Sequence, residues 1–148
     1  MKQRRSFTYL FYHLVFCTKN REHFIDINRE SALYGFLRVK AHDLDAYIEE
    51  MGGWRDHVHL LMRARPTIAL ADVYRQIKGF SSKAWHEKFP EMPFGWADGV
   101  FAVTVDPYDC TGLRSYIRNQ HAHHEQQTAI EKWEPENDSP PGLDRRSS

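Results

Sequence analysis

Two histidines one residue apart, in Asp56-His57-Val58-His59-Leu60-Leu61, are the residues of this chain best placed to do chemistry. A strand sends alternate side chains to the same face, so His57 and His59 point together while Val58 and Leu60 point into a core. Two imidazoles on one side of a stiff strand can grip a metal ion. A second pair stands in Ser115-Tyr116-Ile117-Arg118-Asn119-Gln120, where Tyr116 and Gln120 are at i and i+4 and share a helical face. A two-histidine strand beside a helix carrying a phenol and an amide suits metal-assisted phosphoryl transfer with tyrosine as nucleophile.

Each piece also has a plainer reading. His57 and His59 could be half-buried histidines with ordinary hydrogen bonds, and Tyr116 could pack its ring on a sheet. A phenol of pKa about 10 is a poor nucleophile unless the developing charge is stabilised. A cation on the phosphate does that as Lewis acid and template. Imidazole nitrogens and an amide oxygen, completed by water or phosphate oxygens, suit Mg²⁺ or Mn²⁺. A structural zinc site would want four soft or imidazole ligands, and Cys17 and Cys110 are not spaced for one. Asp56 is expected to point away from His57 and to serve a turn. His121, His123 and His124 lie beside Gln120 and are left without a ligand role.

The elements that must position these residues follow from patterning. Residues 7–18 (FTYLFYHLVFCT) read as a long strand. Asn28 is the expected N-cap of a helix reaching about His42. Asp45 to Met51 and Trp54 to Arg63 read as strands joined by a turn at Gly52-Gly53. A helix is expected from Leu70 to Phe89, with Val73, Ile77, Phe80 and Trp85 at near-helical spacing and Pro90 and Pro93 closing it. Val100 to Val105 is a fourth strand, and one helix is expected from Cys110 to about Gln127. The order β-α-β-β-α-β followed by a helix is α+β, the ferredoxin-like split βαβ arrangement. Its first and third strands are central neighbours, which brings His13 near the histidine pair without fixing its face. One domain is expected over residues 1–133, with a polar, proline-rich tail at 134–148 expected to be disordered.

Of the 148 residues, 41% are hydrophobic and 14% aromatic, which argues for a folded chain. No stretch reads as a signal peptide or approaches the roughly 20 apolar residues of a membrane span, so a cytoplasmic chain with no membrane partner is expected. Net charge is zero, yet residues 1–90 carry 15 Lys+Arg against 10 Asp+Glu, and residues 91–148 carry 5 against 10. Such a local field can steer a polyanion, while the neutral total disfavours a strong non-specific binder. Arg4, Arg5, Lys19, Arg21, Arg63, Arg65, Arg75, Lys78 and Lys83, with Phe80, Trp85 and Trp96 nearby, are candidates to line a groove for single-stranded nucleic acid. A solvated charged face over an aromatic core accounts for them equally well.

Taken together, YHLVFCTKNRE (12–22), DHVHLL (56–61), IKGFSSK (77–83), WADGVFAVTV (96–105) and YIRNQHAHH (116–124) resemble the small single-tyrosine HUH transposases of the insertion sequence 200/605 type. The resemblance implies a DNA transposase that cleaves and rejoins single-stranded DNA beside hairpins at an element's ends, through a 5′-phosphotyrosine. It implies Tyr116 as nucleophile, His57, His59 and Gln120 as metal ligands, and a homodimer whose composite sites pair the tyrosine helix of one subunit with the histidine strand of the other. It also implies a bacterial, nucleoid-associated setting. Related repeat-associated tyrosine transposases usually carry Asn-Pro where this chain has Asn119-Gln120; a domesticated protein of that kind, acting on host hairpin repeats, is the alternative. Ala97-Asp98-Gly99-Val100 departs from the more usual Gln-x-Gly-Tyr, which bears on DNA contacts. A histidine-triad nucleotide hydrolase would need a further histidine where Leu61 stands.

Overall fold

Alternating apolar side chains in two strands build the centre of the molecule. The computed structural model describes residues 6–130, 133 and 134. In chain order its elements are β1 (Leu10–Cys17), α1 (Glu30–Asp43), β2 (Ala46–Gly53), β3 (His57–Ala64), α2 (Leu70–Lys88), β4 (Phe101–Val105), α3 (Cys110–Arg118) and α4 (Gln120–Glu125). The strands form one sheet in the order β2-β3-β1-β4, every neighbouring pair antiparallel. This is the split βαβ arrangement, with β1 and β3 at the centre.

Period-two alternation divides the chemistry between the sheet's faces. Leu14 and Phe16 of β1 lie opposite Leu60 and Val58 of β3, and all four are fully buried under α1 and α2. Leu33, Leu37 and Ala41 from α1, and Val73, Ile77 and Trp85 from α2, recur at helical spacing to cover that face. The other face carries Phe11, His13, Val15 and Cys17 from β1, with His57, His59 and Leu61 from β3. There Phe11 and Leu61 pack with Cys110, Leu113 and Ile117 of α3.

Several boundaries depart from the pattern-based expectation, each for a local reason. Gly52-Gly53 is not a turn: both residues are paired in β2, opposite His59 and Val58, and the chain reverses over Trp54, Arg55 and Asp56. A Cβ on Gly52 would overlap the carbonyl oxygen of Ile117, so this glycine is where the α3 backbone lies against the sheet. Asn28 does not cap α1; Asp26 Oδ1 instead accepts from the Asn28 N–H at 2.9 Å and the Arg29 N–H at 3.1 Å. Asp45 adopts a left-handed φ of 57° between α1 and β2, a conformation Asp tolerates, so the strand starts at Ala46. The last helix is two helices. Asn119 (φ −100°, ψ 24°) breaks it, with Ser115 O accepting both from its Nδ2 at 2.9 Å and from its backbone N–H at 3.1 Å.

Gly52→Ala is therefore expected to lift α3 from the sheet and to destabilise the chain by about 1–3 kcal/mol, the usual cost of overpacking. The urea unfolding midpoint reads it, and an unchanged midpoint would mean that α3 is not held at this point.

Candidate metal and nucleophile site

The β3 strand presents His57 and His59 side by side, with ring centroids 4.9 Å apart and almost no solvent exposure. Each ring has one nitrogen engaged from behind. His57 Nδ1 meets Asp56 Oδ1 at 2.7 Å, and His59 Nδ1 meets His13 Nε2 at 2.9 Å. Such partners fix ring orientation and tautomer, which leaves both Nε2 atoms directed to a common point. At that point stands Glu134, whose Oε2 lies 3.3 Å from His57 Nε2 and 3.2 Å from His59 Nε2. One ligand atom from each of His57, His59 and Glu134 falls within 4.8 Å of the others, a spacing that could hold a metal ion.

The tyrosine arrives from the opposite side. Tyr116 on α3 is buried, with its ring 6.0 Å from that of His59 and 4.5 Å from that of His123. Its hydroxyl donates to Glu134 Oε1 at 2.5 Å and accepts from the Ile130 N–H at 2.9 Å. Gln120, fully buried at the start of α4, places Oε1 3.3 Å from His57 Nε2 and 3.0 Å from His124 Nε2. The Asn119 break does not separate the two residues expected to share a face: Gln120 Nε2 still reaches Tyr116 O at 3.5 Å. All four residues predicted for metal and nucleophile roles, Tyr116, His57, His59 and Gln120, thus meet in one place and within one chain.

Electrostatics give the two histidines different jobs. Burial disfavours a charge on His57, but the Asp56 and Glu134 carboxylates outweigh it and push its pKa up to about 9. Burial, then the neighbouring His57 charge, lowers His59 to about 4 despite Glu134. Without a cation between them, positive charge is thus favoured on His57 over His59. Burial also raises the Asp56 carboxyl, yet its hydrogen bond to His57 and the Arg21 charge bring it below its ordinary value. For Glu134 the opposing effects resolve the same way, far more strongly: hydrogen bonds from His124, His57 and His59 hold it well below the carboxylate range. The Tyr116 phenol is raised above its ordinary value, first by burial and next by Glu134.

Sequence reasoning missed Glu134 and gave Asp56 a turn. Glu134 begins the segment expected to be a disordered tail; positions 135–148 lie outside the described residues. Asp56 combines both roles, since its backbone carbonyl accepts from Thr18 N at 2.9 Å while its side chain holds His57. Of the other histidines, His124 stacks on Trp54 and reaches Gln120, whereas His121 pairs with Glu30 at 2.8 Å and His123 with Thr128 at 2.9 Å.

The candidate DNA contacts do not gather at this site. Arg4 and Arg5 lie outside the described residues. Lys19 is exposed, and Arg21 pairs with Asp56 at 3.4 Å beside the histidine strand. Arg63 pairs with Glu49 at 3.1 Å, and Arg75 with Asp72 at 3.3 Å. Arg75, Lys78 and the exposed Lys83 belong to α2, on the far side of the sheet. Lys78 Nζ donates to the carbonyls of Ala97, Asp98 and Gly99 and so shapes the loop before β4.

Comparison with known proteins gives the family of the chain. The family model described as "Transposase IS200 like" matches residues 6–120. The ISDra2 transposase TnpA of Deinococcus radiodurans is 30% identical over 128 residues, 82% of this chain and 91% of that protein. The transposase for insertion sequence element IS200 of Salmonella typhimurium is 26% identical over 115 residues, 74% of this chain and 75% of its own. A crystal structure of a candidate transposase from D. radiodurans superposes with a TM-score of 0.64 at 28% identity, covering 81% of this chain and 98% of the other. A repeat-associated tyrosine transposase bound to a REP hairpin shares the fold, with a TM-score of 0.63 at 14% identity over 84% of this chain and 74% of that one. The chain belongs to the IS200-like transposase family.

Proposed function

We propose that this protein cuts and rejoins single-stranded DNA through a 5′-phosphotyrosine on Tyr116, with Mg²⁺ or Mn²⁺ held by His57, His59, Gln120 and Glu134. The observation that carries the reading is the meeting of the Tyr116 hydroxyl and both histidine Nε2 atoms on one carboxylate. The donor set fits a divalent cation on its chemistry: two imidazole nitrogens with their other nitrogens engaged, one carboxylate and one buried amide oxygen. A cation bound there would polarise the scissile phosphate and offset charge as the bond to the leaving oxygen breaks.

The residues of the chain supply the rest. The Ile130 N–H and the Glu134 carboxylate fix the direction of the phenolic oxygen. Attack of that oxygen on phosphorus forms the phosphotyrosine bond and breaks the bond to the 3′ oxygen. The phenolic proton has Glu134 Oε1 as its nearest acceptor, and the departing oxygen leaves as a 3′-hydroxyl after taking up a proton. A 3′-hydroxyl attacking the phosphotyrosine reverses these bond changes and rejoins a strand. Because the phosphoester bond is conserved throughout, no nucleotide triphosphate is needed.

Hairpin-bearing single strands are the proposed substrate, consistent with the hairpin bound by a protein of the same fold. The test is incubation of the protein with the strand flanking its own gene, followed by a denaturing gel. A covalent adduct that forms with Mg²⁺ or Mn²⁺ and disappears with chelator is expected. Cleavage without an adduct would overturn the reading.

A homodimer with composite sites belongs to the same proposal, the tyrosine helix of one subunit meeting the histidine strand of the other. Mixed Tyr116→Phe and His57→Ala subunits, each inactive alone, are therefore expected to recover cleavage after subunit exchange. No recovery, with exchange shown independently, would mean that each chain builds its own site.

A further inference from the structure

In the turn after β1, and nowhere else among the described residues, two successive non-glycine residues hold a positive φ: Asn20 at 55° and Arg21 at 57°. Asparagine tolerates the left-handed region, but arginine has no short polar side chain to compensate it locally and rarely adopts it. Such strain persists only where the surrounding structure holds it, and it gathers at functional sites. Here the holding is done by Thr18, fully buried at the end of β1. Its carbonyl accepts from the Arg21 N–H at 3.0 Å, and its own N–H donates to Asp56 O at 2.9 Å. Its Oγ1 lies 2.6 Å from Glu22 O and 3.1 Å from Asp56 O. The turn is thereby bound to the backbone of the residue that engages His57 Nδ1.

The arginine side chain continues that connection. Its Nη1 donates to Cys17 Sγ at 2.7 Å, and its Nε lies 3.4 Å from Asp56 Oδ2. Cys17 is the β1 residue opposite His57 in the strand register. The two Asp56 oxygens are therefore divided: Oδ1 goes to the His57 ring at 2.7 Å, and Oδ2 faces the guanidinium. The last torsion of an aspartate is soft, so a carboxylate gripped on one oxygen can still turn, whereas one gripped on both is fixed. We propose that Arg21 is a positioning residue of the metal site, its rigid guanidinium locking the Asp56 carboxylate, which in turn sets the His57 ring so that Nε2 faces the cation. The inference rests on the metal reading above. It takes Arg21 out of the set of residues that contact DNA. It also accounts for the left-handed turn, whose strained backbone brings the guanidinium back over Asp56.

Arg21→Gly tests this, because glycine accepts a positive φ at no steric cost while the guanidinium is lost. Mn²⁺ titrated by calorimetry into the full chain, without DNA, is expected to bind about three- to tenfold more weakly, short of the effect of changing Asp56 itself. The melting temperature of the metal-free variant should be unchanged or higher, since the strain has gone. In an Asp56→Asn background, Arg21→Gly should add less than about twofold, because its route to His57 is already cut. The salt dependence of binding to a short oligonucleotide should keep its slope, which loss of an arginine on a phosphate would reduce by about one. Unchanged Mn²⁺ affinity, an equal loss in both backgrounds, or a melting temperature that falls with the affinity would each overturn the positioning role and leave the metal reading intact. A reduced salt slope would overturn it too, and return Arg21 to the DNA. An unaltered chain that binds no Mn²⁺ would overturn the metal reading, and this inference with it.

Discussion

Tyr116→Phe is expected to remove the covalent protein–DNA adduct, cutting strand cleavage by about 10⁴-fold or more, as loss of a reacting oxygen does in other nucleophilic enzymes. The substitution takes away one atom. The ring keeps its packing against His123 at 4.5 Å and Trp133 at 4.9 Å. What disappears is the hydrogen bond to Glu134 and the acceptor for the Ile130 N–H, so stability should fall by only about 1 kcal/mol. Hairpin binding should persist. A denaturing gel and a thermal melt measure the two effects separately. An adduct at undiminished yield would move the nucleophile elsewhere, with the exposed Tyr108 the first residue to test.

The second large effect lies in the histidines. His57→Ala or His59→Ala should abolish cleavage and weaken Mn²⁺ binding by well over about 100-fold. Asp56→Asn, which alters the partner of His57 Nδ1 and removes the charge facing Arg21, should weaken it by about 10–100-fold, the usual effect of changing a residue behind a metal ligand. Titration of Mn²⁺ by calorimetry orders the three variants without reference to activity. Chelator should silence the unaltered protein, and Mg²⁺ or Mn²⁺ should restore it. Cleavage that continues in excess chelator would leave protein groups alone to offset the charge on the phosphate, and the metal assignment would fail.

The parts of this site legible in sequence are those governed by a local period. Period two set His57 and His59 on one face, and the apolar partners Val58 and Leu60 fixed which face that was. Strand order followed from the succession of elements and placed β1 beside β3, but the face of His13 depended on register, which patterning alone does not supply. The diglycine misled because glycine serves two physical ends: it permits tight turns, and it lets another backbone come close. Here the second applies, with Ile117 as the approaching group. Asn119 looks like one more helical residue in the sequence, and its side chain joins its own backbone N–H on Ser115 O where the helix breaks. Glu134 was not legible at all. It reaches the site from beyond α4 by contacts with residues far away in sequence, and its neighbours give no periodic signal.

The alternation along β3 also bears on how members of this family can lose their activity. Deleting the one residue between His57 and His59 would reverse the faces beyond that point, placing the second imidazole among Leu14, Phe16 and Met62 and a leucine beside His57. The resulting chain would lose its fold along with its chemistry and would be cleared by proteolysis. Exchanging His57, His59 or Tyr116 for another residue leaves the backbone pairing alone. Folded descendants that still grip DNA but no longer cut it should therefore carry point substitutions at these positions and an intact length of strand between them.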